Sequence, residues 1–216
     1  MPPPIRPRAS TTKSAASVRR RLQPHERREE ILREAIAFFS DVGVEGTTRD
    51  LSTRAKIAQP LIYKYFATKR DLIEAVYERI YLNSFKPHWP QLVGNGKRPI
   101  RERMTQFYIE YADSIIWREW VRIFVSAGLH GEDINRRYLK RLEETLLVPL
   151  TAEIGVAVRA VNGPKAVVPT LEDVWQTHGG VFYIGIREYI YGLPPTSDRP
   201  AAIAASVDRF LKNYKL

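Results

Sequence analysis

Between Gln59 and Lys69 the chain carries side chains whose types suit the edges and backbone of a nucleic acid. Gln59 offers the acceptor and donor pair that fits an adenine edge, and Leu61 an apolar tip for a thymine methyl. Tyr63, Lys64, Tyr65 and Lys69 supply donors for phosphate oxygens, and Lys64 can also reach a guanine. Thr48, Arg49 and Pro60 complete the candidate DNA-contact set. Catalytic chemistry has no comparable set. His25, His88, His130 and His178 are scattered without metal-binding spacing, and no Gly-rich phosphate loop or nucleophile elbow occurs. Glu143 and Glu144 are sequence neighbours that diverge on a helix, so they read as surface charge. The chain contains no cysteine, which removes disulfides, thiolate nucleophiles and zinc-cysteine sites. We therefore expect a protein that is not an enzyme and holds no cofactor or metal.

The DNA-contact candidates are positioned by two short helices and a turn. Thr47 caps a helix from Thr48 whose third residue is Asp50, a capping box. Leu51 and Ala55 share its inner face, while Arg49, Ser52 and Arg54 lie away from it. Lys56 and Ile57 turn the chain, and Pro60 suits the first turn of a second helix beginning near Gln59. Ile62 and Phe66 then point inward and Gln59, Leu61, Tyr63, Lys64 and Tyr65 outward. Thr68 caps a third helix, with Asp71 at its third position and Leu72, Ile73, Val76, Tyr77 and Ile80 inside, reaching about Phe85. A platform helix over about 24–41 precedes them, with Ile31, Leu32, Ala35, Ile36 and Phe39 at helical spacing and Gly43 as its stop. Two helices joined so closely have the geometry that lays the second in a DNA major groove.

The stretch from Ile31 to Leu72 resembles the DNA-binding domain of the TetR (TetR/AcrR-type) family of transcriptional regulators. The matching residues are Ala35, Phe39, Gly43, Thr47, Leu51, Ala55, Tyr63, Phe66, Lys69 and Leu72. The resemblance covers roughly the first 85 residues. It implies an all-helical homodimer with a ligand pocket in the larger part and release of DNA when a small molecule binds. Three departures concern local geometry. Lys56 stands where the family carries glycine, at a cost of about 1–2 kcal/mol if left-handed, which would reshape the turn. Ala58 replaces a capping Ser or Thr, losing about 1 kcal/mol. The loop from Gly43 to Thr47 is one residue shorter than usual.

Length and composition frame this reading. The 216 residues, 44% of them hydrophobic, can fill a sizeable core. A net charge of +10 favours a polyanionic partner. Through Arg28, eight basic residues stand against Glu26 alone, which leaves +7 of that charge near the start. Residues 1–23, rich in Pro, Ser and Arg, are expected to form a disordered basic arm. The arm could follow DNA into an adjacent minor groove, remain a solvated tail, or resemble a transit peptide; the bacterial character of the next segment argues against the last. No apolar run long enough for a span or a signal peptide occurs, so a cytoplasmic location without membrane attachment is expected.

The expected division is a helix-turn-helix domain over 24–85 and a helical ligand-binding and dimerisation domain over 86–216. Residues 86–98 read as a loop, with His88 and Trp89 packing in it. Helices follow at about 99–113, 114–128, 132–160, 171–192 and 199–214, and Pro149 should kink or divide the third of these. Aromatics crowd two stretches, and Phe107, Tyr111, Trp117, Trp120, Phe124, His130, Trp175, His178 and Phe182 are the pocket candidates, each weighed against plain core packing. The dimer candidates are Gly179, Gly180, Val181, Ile184, Tyr189, Val207, Phe210 and Leu211; two mid-helix glycines cost about 1 kcal/mol each, which close approach of a second helix or a ligand would offset. A bundle within one subunit would give the same pattern. The function expected is a sequence-specific regulator, a ligand-responsive homodimeric repressor on an inverted-repeat operator. The alternative is a helical adaptor using its basic surface for an acidic protein or a membrane.

Overall fold

A computed structural model describes residues 23–131 and 133–216. The expectation for the basic arm falls, except for Gln23, outside the described residues. Every regular element among the described residues is helical. Helix α1 (Pro24–Val42) opens on a reciprocal cap between Gln23 and Glu26 and ends at Gly43, whose φ of 86° suits glycine. A Cβ there would come within 2.5 Å of Ser126 Oγ, so a close approach adds to the conformational demand. Helices α2 (Thr48–Ala55), α3 (Gln59–Tyr65) and α4 (Lys69–Tyr77) follow in the predicted order. Helix α4 runs on through a π-helical turn, Glu78–Leu82. Ile31, Ala35, Phe39, Leu51, Ile62, Phe66 and Leu72 are buried together and set the angles between these four helices.

Residues 86–98 are not all loop. Trp89–Gly94 form a helix, α5, because Trp89, Leu92 and Val93 recur at helical spacing and bury against α6 and α9, while Pro90 fits its first turn. His88 and Trp89 both bond Glu110, at 2.6 and 3.0 Å. Then come α6 (Ile100–Ile115), α7 (Arg118–Leu129), α8 (Asp133–Leu142), α9 (Val148–Asn162), α10 (Leu171–Tyr189) and α11 (Arg199–Lys212). The expected helix over 132–160 is divided, as Pro149 foretold, into α8 and α9 with a π-helical turn at Glu143–Leu147 between them. Thr170 and Asp173 cap α10 reciprocally.

Helices α6 to α11 enclose a core of Met104, Phe107, Tyr111, Trp120, Leu146, Ile154, Val174 and Val207. Helix α7 lies between this core and α1. From α7, Arg118 bonds Ser40 Oγ at 3.0 Å and pairs with Asp41. Arg122 reaches the Ser40 and Asp41 carbonyls, and Ser126 Oγ accepts the Val44 amide at 3.1 Å. Asp41 also pairs with Arg54 of α2. Chiefly through its hydrogen bonds with Arg118 and then Arg54, the Asp41 carboxyl is held below the usual range. No helix among the described residues is long and apolar enough to cross a membrane.

Candidate nucleic-acid interface

The reading head is built from α2, a three-residue turn and α3. Thr47 accepts the Asp50 amide at 3.1 Å, but the Asp50 carboxylate takes the Thr47 hydroxyl at 2.6 Å, so half of the expected capping box is replaced by a side-chain bond. Lys56 occupies the left-handed conformation, φ 53° and ψ 40°. The turn therefore keeps the shape that a glycine would give, at the cost of a strained lysine. Ser52 Oγ donates to the Ile57 carbonyl at 2.7 Å and braces it. Ala58 caps α3 with no side-chain bond, as its type required.

Ile62 and Phe66 are buried at 1% and 3% exposure and anchor α3. Pro60, Tyr63 and Lys64 are exposed, as is Arg49 of α2. Gln59 and Lys69 are half-buried. Two outward assignments need correction: Leu61 and Tyr65 are partly buried and pack against the core, because each flanks the buried face that Ile62 and Phe66 set. Thr48 is corrected further. It is only 6% exposed, and its hydroxyl meets the Tyr63 hydroxyl at 2.8 Å and Gln59 Nε2 at 3.1 Å. It braces the two α3 residues and has little surface of its own. Thr68 and Asp71 form the complete reciprocal cap expected for α4, with Lys69 in the first turn beside the free amides.

Comparison with known proteins bears directly on this region. Residues 31–76 match the family described as "Bacterial regulatory proteins, tetR family". These residues carry the family's DNA-binding segment, about a fifth of the chain. It is 44% identical over 52 residues to the class C tetracycline repressor protein of Escherichia coli, covering 24% of each chain. It is 30% identical over 94 residues to the HTH-type transcriptional repressor KstR2 of Mycolicibacterium smegmatis, covering 43% of this chain and 45% of that one. The matches thus span from a quarter to under half of these relatives' lengths. Two solved structures share the fold over most of the chain. Mycobacterium smegmatis AmtR superposes with a TM-score of 0.58 at 19% identity, over 85% of both chains. A tetR-family regulator from Streptomyces coelicolor gives 0.55 at 16% identity, over 88% of this chain and 80% of that one.

The two other candidate sets divide differently from expectation. Phe107, Tyr111 and Trp120 are buried at 1% exposure or less. Trp120 stacks on Phe124 at 4.9 Å and meets Phe182 edge-on at 5.9 Å, while Tyr111 and Trp175 both contact the His178 ring. These rings pack on one another. Trp117 bonds the Ser114 carbonyl, and Trp175 bonds Glu143 at 2.8 Å. His130 is exposed at the end of α7 and bonds the Ser126 carbonyl, so it leaves the pocket set. His178 is buried, and burial pushes its pKa down to about 3, which keeps it neutral. The buried atoms Tyr108 Oη, Trp120 Nε1 and His178 Nδ1 have no partner.

Of the dimer candidates, Val181, Ile184, Val207, Phe210 and Leu211 are buried within their own chain, α11 being packed on α6 and α10. They are not available to a partner. Tyr189 is half-buried. Gly179 and Gly180 are exposed, with nothing within 4 Å of an added Cβ. Tyr183, 51% exposed, continues the same face one turn on, a residue that sequence reasoning missed although its spacing from Gly179 indicates it.

Proposed function

We propose that this chain is a sequence-specific DNA-binding transcriptional regulator, a repressor acting as a homodimer on an inverted-repeat operator. The observation that carries this reading is the α3 ridge. Pro60, Tyr63 and Lys64 are exposed beside Arg49, with half-buried Gln59 at the start of the helix, while Ile62 and Phe66 hold the helix down. Arg49, Lys64 and Lys69 supply positive charge for phosphates, and the Gln59 amide supplies a base contact. Repression is the direction supported by the relatives, a tetracycline repressor and a transcriptional repressor. The proposed division is a DNA-binding domain over 24–85 and a helical ligand-binding and dimerisation domain over 86–216, with α7 as the contact between them.

A homodimer is supported by the α10 face. Mid-helix glycines with open space above them leave a shallow strip onto which the same helix of a second copy can close, flanked by Tyr183. Two reading heads related by a two-fold axis require a palindromic target. Response to a small effector is supported by the unpartnered Tyr108, Trp120 and His178 atoms in the helical core, since buried polar groups are normally bonded and a guest or waters could satisfy them.

Selection of bound sequences from random duplexes, repeated over a salt series, tests the reading. The expected result is an inverted repeat whose affinity falls steeply with salt. Binding without sequence preference would instead favour a basic helical adaptor for an acidic protein or membrane.

A further inference from the structure

Thr48 opens α2, yet its hydroxyl lies inside the reading head between two side chains of α3. Gln59 Nε2 donates to Thr48 Oγ1 at 3.1 Å, and the Tyr63 hydroxyl lies 2.8 Å from the same oxygen. A threonine hydroxyl has one proton and two lone pairs. With the Gln59 N–H on one lone pair, Thr48 can either give its proton to the Tyr63 oxygen or take the Tyr63 proton on its second lone pair. Only in the first case is the Tyr63 proton directed away from Thr48, outward from exposed Tyr63.

We propose that Thr48 is a positioning residue that ties base choice by Gln59 to a phosphate bond made by Tyr63. The donors run in one direction, Gln59 to Thr48, Thr48 to Tyr63, and Tyr63 to a phosphate oxygen. Held this way, the Gln59 amide presents its oxygen and its second N–H, the pair complementary to adenine N6–H and N7. The reversed chain has the opposite consequence. If the amide turns over, Thr48 donates to Gln59 Oε1 and Tyr63 donates to Thr48. Tyr63 then has no proton for a phosphate, and Gln59 turns both N–H groups outward, toward the acceptors of guanine. Because a phosphate oxygen only accepts, contact with the DNA backbone selects the first arrangement. Thr48 thus makes adenine recognition conditional on correct seating of the backbone. The inference rests on the DNA-reading function proposed above and deepens it.

The test uses the full chain and its T48S, T48V, Y63F, T48V/Y63F and Q59A variants, each selected on random duplexes at one salt concentration. The position read by Gln59 is the one whose preference disappears in Q59A. There the parent and T48S are expected to favour adenine over guanine about tenfold or more, and T48V to lose most of that preference. Binding of T48V to random duplex should stay within about twofold of the parent. Y63F leaves the Thr48 proton to Gln59 Oε1 and should shift the preference toward guanine. The double variant should behave like T48V, relaxed but not shifted. Retention of the adenine preference in T48V, or in Y63F, overturns the relay. A thermal unfolding curve for T48V matching that of T48S separates lost positioning from lost folding; loss of preference in T48S as well overturns the role of the hydroxyl. A parent chain that enriches no sequence overturns the DNA-reading function itself and the relay with it, whereas a Q59A profile identical to the parent's, or failure of T48V, overturns the relay and leaves that function standing.

Discussion

At the scale of single residues, the two ends of the reading head should respond differently to truncation. Lys69 holds a position where a phosphate is favoured by charge and by the free amides of α4. Lys69→Ala is therefore expected to weaken binding to all duplexes alike and to reduce the slope of log affinity against log salt by about 1, read by fluorescence titration. Gln59→Ala should also relax base preference, and equal losses on operator and random duplex would remove its base-reading role. His178 offers a separate test. Its folded pKa, about 3, lies below the ordinary 6.5, so the unfolded chain binds a proton that the folded chain refuses. The stability is fully present above pH 6.5 and is lost as pH falls toward 3. Asp41, Glu110, Asp173 and Asp208 also have lowered values and lose their contributions in more acidic solution. Between pH 6.5 and about 4.5 the slope of unfolding free energy should therefore flatten in His178→Phe, as measured by urea denaturation.

Much at this scale was legible. Ile62 and Phe66 inward, and Tyr63 and Lys64 outward, follow from helical spacing alone. Thr48 was not legible in the same way. Its partners lie 11 and 15 residues away across the turn, so only the assembled head brings the three polar groups together. The pocket aromatics met a different limit. Spacing shows that Phe107, Tyr111 and Trp120 face a shared interior, but not whether that interior is filled by rings or left open.

At the scale of elements, caps and breakers located α1 to α4 because each boundary is a local chemical event. Thr68 with Asp71, and Gly43 with its positive φ, can be read without knowing what packs nearby. Helix α5 was hidden because Pro87, Pro90, Gly94 and Gly96 read as punctuation, while its stability comes from burying Trp89 and Val93 against distant helices. The π-helical turns after α4 and α8 leave no residue signature that spacing detects. One element-level prediction follows from the turn of the reading head. Lys56 carries a left-handed strain of about 1–2 kcal/mol, from which the greater unfolded freedom of glycine subtracts roughly half. Lys56→Gly should raise stability by about 0.5–1 kcal/mol with α2 and α3 unmoved. A lower urea midpoint would show that the lysine side chain contributes something the backbone does not.

At the scale of the whole molecule, the sequence identifies the apolar stripes but not what covers them. Val207 and Leu211 have the pattern of a subunit interface, yet α6 of the same chain covers them. Gly179 and Gly180 remain the open part of α10. Replacing both with glutamine should strengthen the isolated helix by about 0.5 kcal/mol per site. The same change should separate a dimer that depends on close helix approach, read by sedimentation velocity. A dimer of undiminished affinity would move the interface off this face.

Helix α7 touches the aromatic core on one side and, on the other, grips residues 40 to 44 through Arg118, Arg122 and Ser126. Asp41, clasped at once by Arg118 and by Arg54 of α2, makes that grip continuous with the reading head. The fit is tight enough at Gly43 that even a methyl group would collide with Ser126. A roll or slide of α7 must therefore drag the end of α1 along or unfasten it. In the homodimer proposed above, a small rotation at this coupling would be magnified by the length of α1 into a change in the spacing of the two heads.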